Sequence, residues 1–206
     1  MVDDSEINGS ETDGSETDAS ETDGSEAGSE ATEILVAESL VTEDMRSIVG
    51  AVMRESVSHP VTIADIRKWA IAVYYPEPPP RQFWDEDYAA TTQHGCIVAP
   101  EEFNPFAWST AKPLLTDPKV SQTAFSEDEL GIKPPEYKAM LLSEIREQHG
   151  RVRIRAGDVI RSVVRISDYF ERDGRMGRML YTTLSNEWHN QSDEWIRTTD
   201  SVFVRY

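Results

Sequence analysis

The last fifty residues constrain the fold more than any other part of the chain. They contain GDVIRSVVRISDYFER, GRMLYTTLSNEWHN and DEWIRTTDSVFVRY, three stretches rich in Val, Ile, Thr, Tyr and Trp. Asp173-Gly174 and Asn190-Gln191-Ser192-Asp193 separate them as turn-forming breaks. In the first stretch Ile160, Ser162, Val164 and Ile166 alternate with Val159, Arg161, Val163 and Arg165. Alternation of this kind sends the two sets to opposite faces of a strand. Three long strands joined by short turns form an antiparallel meander.

A sheet of this kind needs something to cover it, and the preceding chain offers helices. Thr42–Met53 carries Met45, Ile48, Val49 and Val52 on one helical face. After His59-Pro60, Thr62 is an N-cap with Asp65 three residues on. Ile63, Ile66, Trp69, Ala70 and Val73 follow at helical spacing until Pro76 stops the run. Further short helices are expected over 85–92, over EEFNPFAWS (101–109), and over Pro135–Glu147. Helices first and long strands last predict an α+β domain with a helix packed on one curved antiparallel sheet.

The N-terminal region is of a different kind. Residues 10–24 read SETDG SETDA SETDG, a repeat with nothing to bury, so residues 1–33 are expected to be a disordered acidic tail and residues 34–206 a single domain. The first 45 residues hold fifteen acidic residues and no Lys or Arg, which leaves 23 acidic against 20 basic in the rest. The net charge of −18 therefore belongs mainly to the tail. No basic stripe exists for nucleic acid. No apolar run approaches the roughly 20 residues of a membrane span, and the acidic N-terminus lacks the basic start of a secretory signal. Cys96 is the only cysteine, which rules out an internal disulfide and fits a reducing cytoplasm. A cytoplasmic, non-membrane protein is expected. The four histidines have no metal-ligand spacing, so neither a metal nor another cofactor is expected.

The stretch AVYYPEPPPRQFWDEDYA, residues 72–89, places four prolines within five positions before Phe83 and Trp84. It has the composition of a rigid pocket rim. Glu77 is its one internal carboxylate, and His94 stands nearby before Gly95. These two are the candidate acid/base groups, against readings as a solvated glutamate and a structural histidine. Tyr74, Tyr75, Phe83, Trp84, Phe103 and Trp108 are the candidate substrate-binding aromatics, against a reading as core and dimer packing. Cys96 sits in an apolar run and reads as a small buried hydrophobe. Arg151, Arg153 and Arg155 alternate, either to meet phosphates or as a solvated edge that discourages strand addition.

Helix, proline loop, DEDYA, GCIVAP and a late RIRAGDVI before three strands together resemble the MaoC-like dehydratases of the hotdog fold. The likeness is greatest to the FAS1-like dehydratase N-terminal type, known from actinobacterial acyl-thioester hydratases. The turn Arg155–Asp158, the hairpin Gly174–Met179 and FNPFAW (Phe103–Trp108) suit the same group. The resemblance implies a long helix wrapped by a curved antiparallel sheet, paired hotdogs, and reversible hydration of a 2-enoyl thioester. That chemistry needs an Asp and a His to activate water and a backbone N–H for the thioester oxygen. In active members the pair lies on Gly-Asp-x-Asn-Pro-x-His, with a His-Gly step some twenty residues later.

This chain departs from that pattern at each chemical position. Tyr74-Tyr75 stand for Gly-Asp, Glu77-Pro78 for Asn-Pro, and Pro80 or Arg81 for the histidine. Tyr and Arg, whose ordinary pKa values lie at about 10 and higher still, cannot act as a histidine base. The later step falls at Ala99-Pro100, and proline has no N–H to donate. The resemblance therefore implies a non-catalytic, pocket-shaping subunit of a heteromeric enoyl-CoA hydratase (3-hydroxyacyl-CoA dehydratase). Its partners are an acyl-CoA thioester, fatty or bulky and steroid-derived, and a MaoC-like hotdog subunit that carries the Asp/His pair. Two alternatives remain open: a stand-alone hydratase or thioesterase that uses Glu77, and an acyl-CoA binding or scaffold protein without catalysis.

Overall fold

The computed structural model describes residues 39–107, 126–175 and 177–206. The acidic repeat over 1–33 and Trp108 lie outside these residues. Helix α1 (Glu43–Ser47) is capped by the Thr42 hydroxyl, which accepts the Met45 N–H. Strand β1 (Val52–Val57) follows, then α2 (Ile63–Tyr74), a 3-10 turn at Arg81–Phe83, α3 (Glu86–Ala90) and α4 (Ser126–Glu129). Strands β2 (Met140–His149), β3 (Arg161–Gly174), β4 (Gly177–His189) and β5 (Trp195–Arg205) complete the chain. They form one antiparallel sheet in the order β1-β3-β4-β5-β2.

The expected meander is β3–β4–β5. A bulge between Ile166 and Asp168 shifts the alternation of β3 by one residue. Ile166 pairs with Leu184 and Tyr169 with Thr182, so Tyr169 joins Ile166 on the same face. Two apolar clusters cover that face. At one end Ile66 of α2 is buried with Ile160, Trp188, Ile196 and the segment Ile97–Phe103. At the other, Met45 of α1 packs with Ile166, Tyr169 and Leu180, and Leu130 and Ile132 close over them. Each such fully buried side chain contributes about 1.5–3 kcal/mol.

Helix α2 forms as the sequence predicts. Its capping box is complete: the Thr62 hydroxyl accepts the Asp65 N–H, and the Asp65 carboxylate accepts the Thr62 N–H. The helix ends at Tyr75, before Pro76.

Three expected helices differ. Thr42–Met53 is helical only to Ser47; Gly50 adopts φ +87°, and Val52 onward pairs with β3. The apolar spacing there was shared between a short helix and a strand. Pro135–Glu147 was expected to be helical and is instead extended from Met140, as β2, laddered to β5 from Met140–Arg205 to His149–Arg197. Its Leu, Glu, Gln and Met residues favour helix locally, and the open edge of β5 overrides that preference. Residues 101–107 form turns rather than a helix, with the Asn104 side chain accepting the Phe106 N–H across Pro105 at 2.9 Å. β2 is an edge strand, and nine of its ten residues are exposed, Leu141, Leu142 and Ile145 among them.

A buried ion pair fixes α4 to the sheet. Arg205 Nη2 donates to Glu127 Oε1 at 2.7 Å and also to Thr182, and the Tyr169 hydroxyl donates to the same carboxylate oxygen at 2.9 Å. Arg205 and Glu127 are almost fully buried. Burial, with the Glu127 charge beside it, pushes the Tyr169 hydroxyl well above the ordinary tyrosine range. Glu127→Ala removes the buried counter-charge and is expected to cost about 3 kcal/mol. Thermal denaturation should show Tm falling by about 6–12 °C; an unchanged Tm would assign the pair no role in stability.

Candidate functional site

The proline loop holds its shape through its own residues. Trp84 Nε1 donates to the Pro79 carbonyl at 2.9 Å, and Arg67 donates twice to the Trp84 carbonyl, at 2.9 and 3.2 Å. Arg81 grips Asp85 through Nε and Nη2 at 2.9 and 2.7 Å, and its guanidinium lies 4.8 Å from the Tyr88 ring centroid. Asp85 also caps α3 by accepting the Tyr88 N–H, and this bond, with Arg81, holds its carboxyl below the usual aspartate range. The loop is thus a closed set of intramolecular contacts.

The candidate residues go to different places. Tyr74 and Phe83 pack together, ring centroids 5.8 Å apart, in a small core with Ala70, Val98 and Cys96. Tyr75 is 80 % exposed, and Glu77 points into solvent as well. Trp84 is half exposed while it staples the loop. Of the candidate aromatics, Phe103 lines the first cavity described below, where its ring meets Trp69 edge-on at 5.6 Å. His94 is half-buried, and burial together with Arg153 and Arg155 lowers its pKa. The imidazole therefore stays neutral to lower pH than an ordinary histidine.

Three concavities matter for chemistry. The first, about 320 Å³, is lined by His59, Pro60, Val61, Asp65, Lys68 and Trp69 along α2, with Ala72 and the Phe103–Ala107 segment opposite. Its body is apolar, and its polar groups are His59, Asp65, Lys68 and Asn104. The second includes Ala99-Pro100, where the family resemblance calls for an oxyanion donor, and has only about 20 Å³ free. That is room for about one water. Arg153 occupies this place: it donates to the Glu101 carboxylate and, at 3.2 Å, to the Ala99 carbonyl. Arg197 seals it from the sheet side, its guanidinium 3.8 Å above the Trp188 ring and Nη1 donating to the Glu101 carbonyl at 3.1 Å. The third, about 370 Å³, lies between α2, α3, residues 95–97 and Arg155-Ala156.

Trp69 falls on the apolar face of α2 in the sequence and His59 carries no pattern there, so the first cavity was not visible in advance. Among the described residues, no group of three or more His, Cys, Asp or Glu side chains could hold a metal ion. No helix among them is long and apolar enough to cross a membrane.

Residues 47–199 match the family model described as "FAS1-like, dehydratase domain region". No protein of curated function matches the chain. Among solved structures, the chain is similar to one in the ChsH1-ChsH2 complex from Mycobacterium tuberculosis, with 14 % identity over 80 % of this chain and 89 % of that one, at a TM-score of 0.55. A MaoC-like dehydratase matches with 19 % identity over 81 % of this chain and 43 % of its own, at 0.50. The unliganded R-hydratase PhaJ1 from Pseudomonas aeruginosa matches with 13 % identity over 73 % and 78 %, at 0.45. The expected α+β hotdog fold is the fold of this chain.

The first cavity can be filled from within. Ala72 lines it from the exposed side of α2. Ala72→Trp is expected to weaken binding of an apolar fluorescent probe such as anilinonaphthalene sulfonate at least about tenfold, with Tm nearly unchanged because no core atom is removed. Equal probe binding by both proteins would place apolar ligands elsewhere.

Proposed function

The chain belongs to the FAS1-like dehydratase domain family of MaoC-like hotdog proteins, and from that premise we propose that it is the non-catalytic, pocket-shaping subunit of a heteromeric enoyl-CoA hydratase (3-hydroxyacyl-CoA dehydratase). The observation that carries this reading is the Arg153–Glu101 pair in the place where hydration would need an oxyanion donor. The position holds a salt bridge, a proline and space for about one water, so a thioester carbonyl has no room there. The proline loop agrees, since its only internal carboxylate, Glu77, is exposed.

What the chain retains is shape. The cavity beside Trp69 and Phe103 suits an acyl chain, with Lys68 and His59 at its polar edge. Its volume of about 320 Å³ is roughly twice the ~150 Å³ that admits a benzene ring. That size favours a medium chain or a single ring over a four-ring steroid skeleton. The missing Asp and His would come from a MaoC-like partner subunit. The exposed edge strand β2, ten residues long with three large aliphatic side chains in solvent, supports such a partner, because an unpaired edge of this length is a template for another strand. The likeness to a chain of the ChsH1-ChsH2 complex, itself a two-component assembly, points the same way. A cytoplasmic setting follows from the acyl-CoA substrate on this reading.

The test is hydration of crotonyl-CoA and a longer enoyl-CoA by the purified chain, alone and co-purified with a MaoC-like hotdog subunit. The chain alone is expected to be inactive and the pair active. Glu77→Ala should leave the pair within a few-fold of full rate, whereas a loss of about 10²–10⁴ would put acid/base chemistry on this chain. Turnover by the lone chain would overturn the reading.

A further inference from the structure

The second cavity, with about 20 Å³ free, is bordered by two polar groups that the protein leaves over. Trp188 Nε1 and Arg197 Nε are buried N–H donors with no acceptor among the described residues, and both residues line this cavity. The sheet holds them side by side. Trp188 of β4 stands directly opposite Arg197 of β5, and the guanidinium lies 3.8 Å from the indole ring centroid. Trp188 is 4 % exposed and the Arg197 side chain 12 %, so bulk solvent serves neither donor well. A buried N–H without an acceptor is costly, and two beside one cavity call for a shared guest.

The chemistry of that guest follows from what surrounds it. Trp and Arg nitrogens only donate. The two carbonyls turned to this corner, Ala99 and Glu101, already accept N–H groups from Arg153 and Arg197. The Glu101 carboxylate is paired with Arg153. His149 and Arg197 each have Glu147 at 3.8 Å, on the exposed strand β2 and beyond hydrogen-bond reach. Burial holds the Arg197 guanidinium below the usual arginine range, and Glu147 and Glu102 offset this only in part. A water brings two hydrogens of its own that need acceptors, whereas an anion only accepts. The free volume exceeds the roughly 10–15 Å³ that one water needs and is too small for a polyatomic anion. We propose that this cavity binds a single chloride ion, held by the Trp188 Nε1 and Arg197 Nε N–H groups. The ion supplies the close counter-charge that Glu147 gives only from a distance, and it stiffens the wall at Ala99-Pro100.

The test is thermal denaturation of the full-length chain in sodium chloride and in sodium gluconate at one ionic strength, about 0.5 M. The match matters because any salt screens repulsion within a chain of net charge −18, whereas gluconate does not fit the cavity. Chloride is expected to raise Tm about 3 °C above its value in gluconate. Trp188→Phe keeps a ring under Arg197 and removes the N–H. In that variant the gap between the two salts should fall at least by half, whatever its own Tm. Diffraction from parent crystals grown in bromide should place an anomalous peak between Trp188 Nε1 and Arg197 Nε, so the test does not depend on the variant folding. Equal Tm in the two salts, a gap that Trp188→Phe leaves intact, or bromide crystals without a peak in this corner would overturn the inference. A peak there without a chloride effect on Tm marks an adventitious ion only and overturns it too. No thioester enters these measurements, so their outcome is separate from that of the hydration assay.

Discussion

The antiparallel ladder of β3, β4 and β5 sets the positions of everything else. β3 and β4 pair from Arg161–His189 to Gly174–Gly177, and β4 hands the register on to β5. The bulge at Ile166/Asp168 turns Tyr169 onto the face that also carries Leu180, Thr182 and Arg205. That single shift lets one sheet face hold two different contents. Near Trp188 it is apolar and receives α2; near Thr182 it holds a buried ion pair that anchors the chain after residue 125. A register error of one residue would send both sets to the wrong side.

The same scaffold fills the place where, on the proposed reading, hydration would need an oxyanion donor. Arg153 and Arg197 reach it from the chain before β3 and from β5, and both find their partners in the residue after Pro100. The result is a wall made of ion pairing and of an arginine stacked on Trp188. Charge-assisted contacts of this kind hold geometry well and offer no proton at neutral pH. Meanwhile the space beside Trp69 and Phe103 stays open and apolar. On the proposed reading, such a chain contributes specificity and its partner the chemistry.

Much of this was legible in the sequence, and the reasons for the remainder are physical. The three final strands and α2 are strong local signals, because alternation and a complete capping box leave few alternatives. β2 was hidden because its residues favour helix until β5 offers them a ladder, and β1 because Val52 continues the apolar spacing of α1. The departure from the family's loop pattern is visible directly at Tyr74-Tyr75, Pro80 and Pro100. The pocket could not. Tyr75, Phe83 and Trp84 belong to a loop that is tied to itself, while Trp69, an apparent core residue, lines the cavity from the edge of its helix face. Which side of an aromatic residue meets empty space is a matter of tertiary packing, and no local pattern encodes it.

The most direct measurement is single-turnover hydration of an enoyl-CoA by the assembled pair in which the partner's loop aspartate and histidine are both replaced and this chain is left intact. The account expects the rate to fall to that of the uncatalysed reaction, with thioester binding retained. Residual catalysis within about 10²-fold of the intact pair, the range one acid/base group supplies, would mean that this chain carries a reacting group after all.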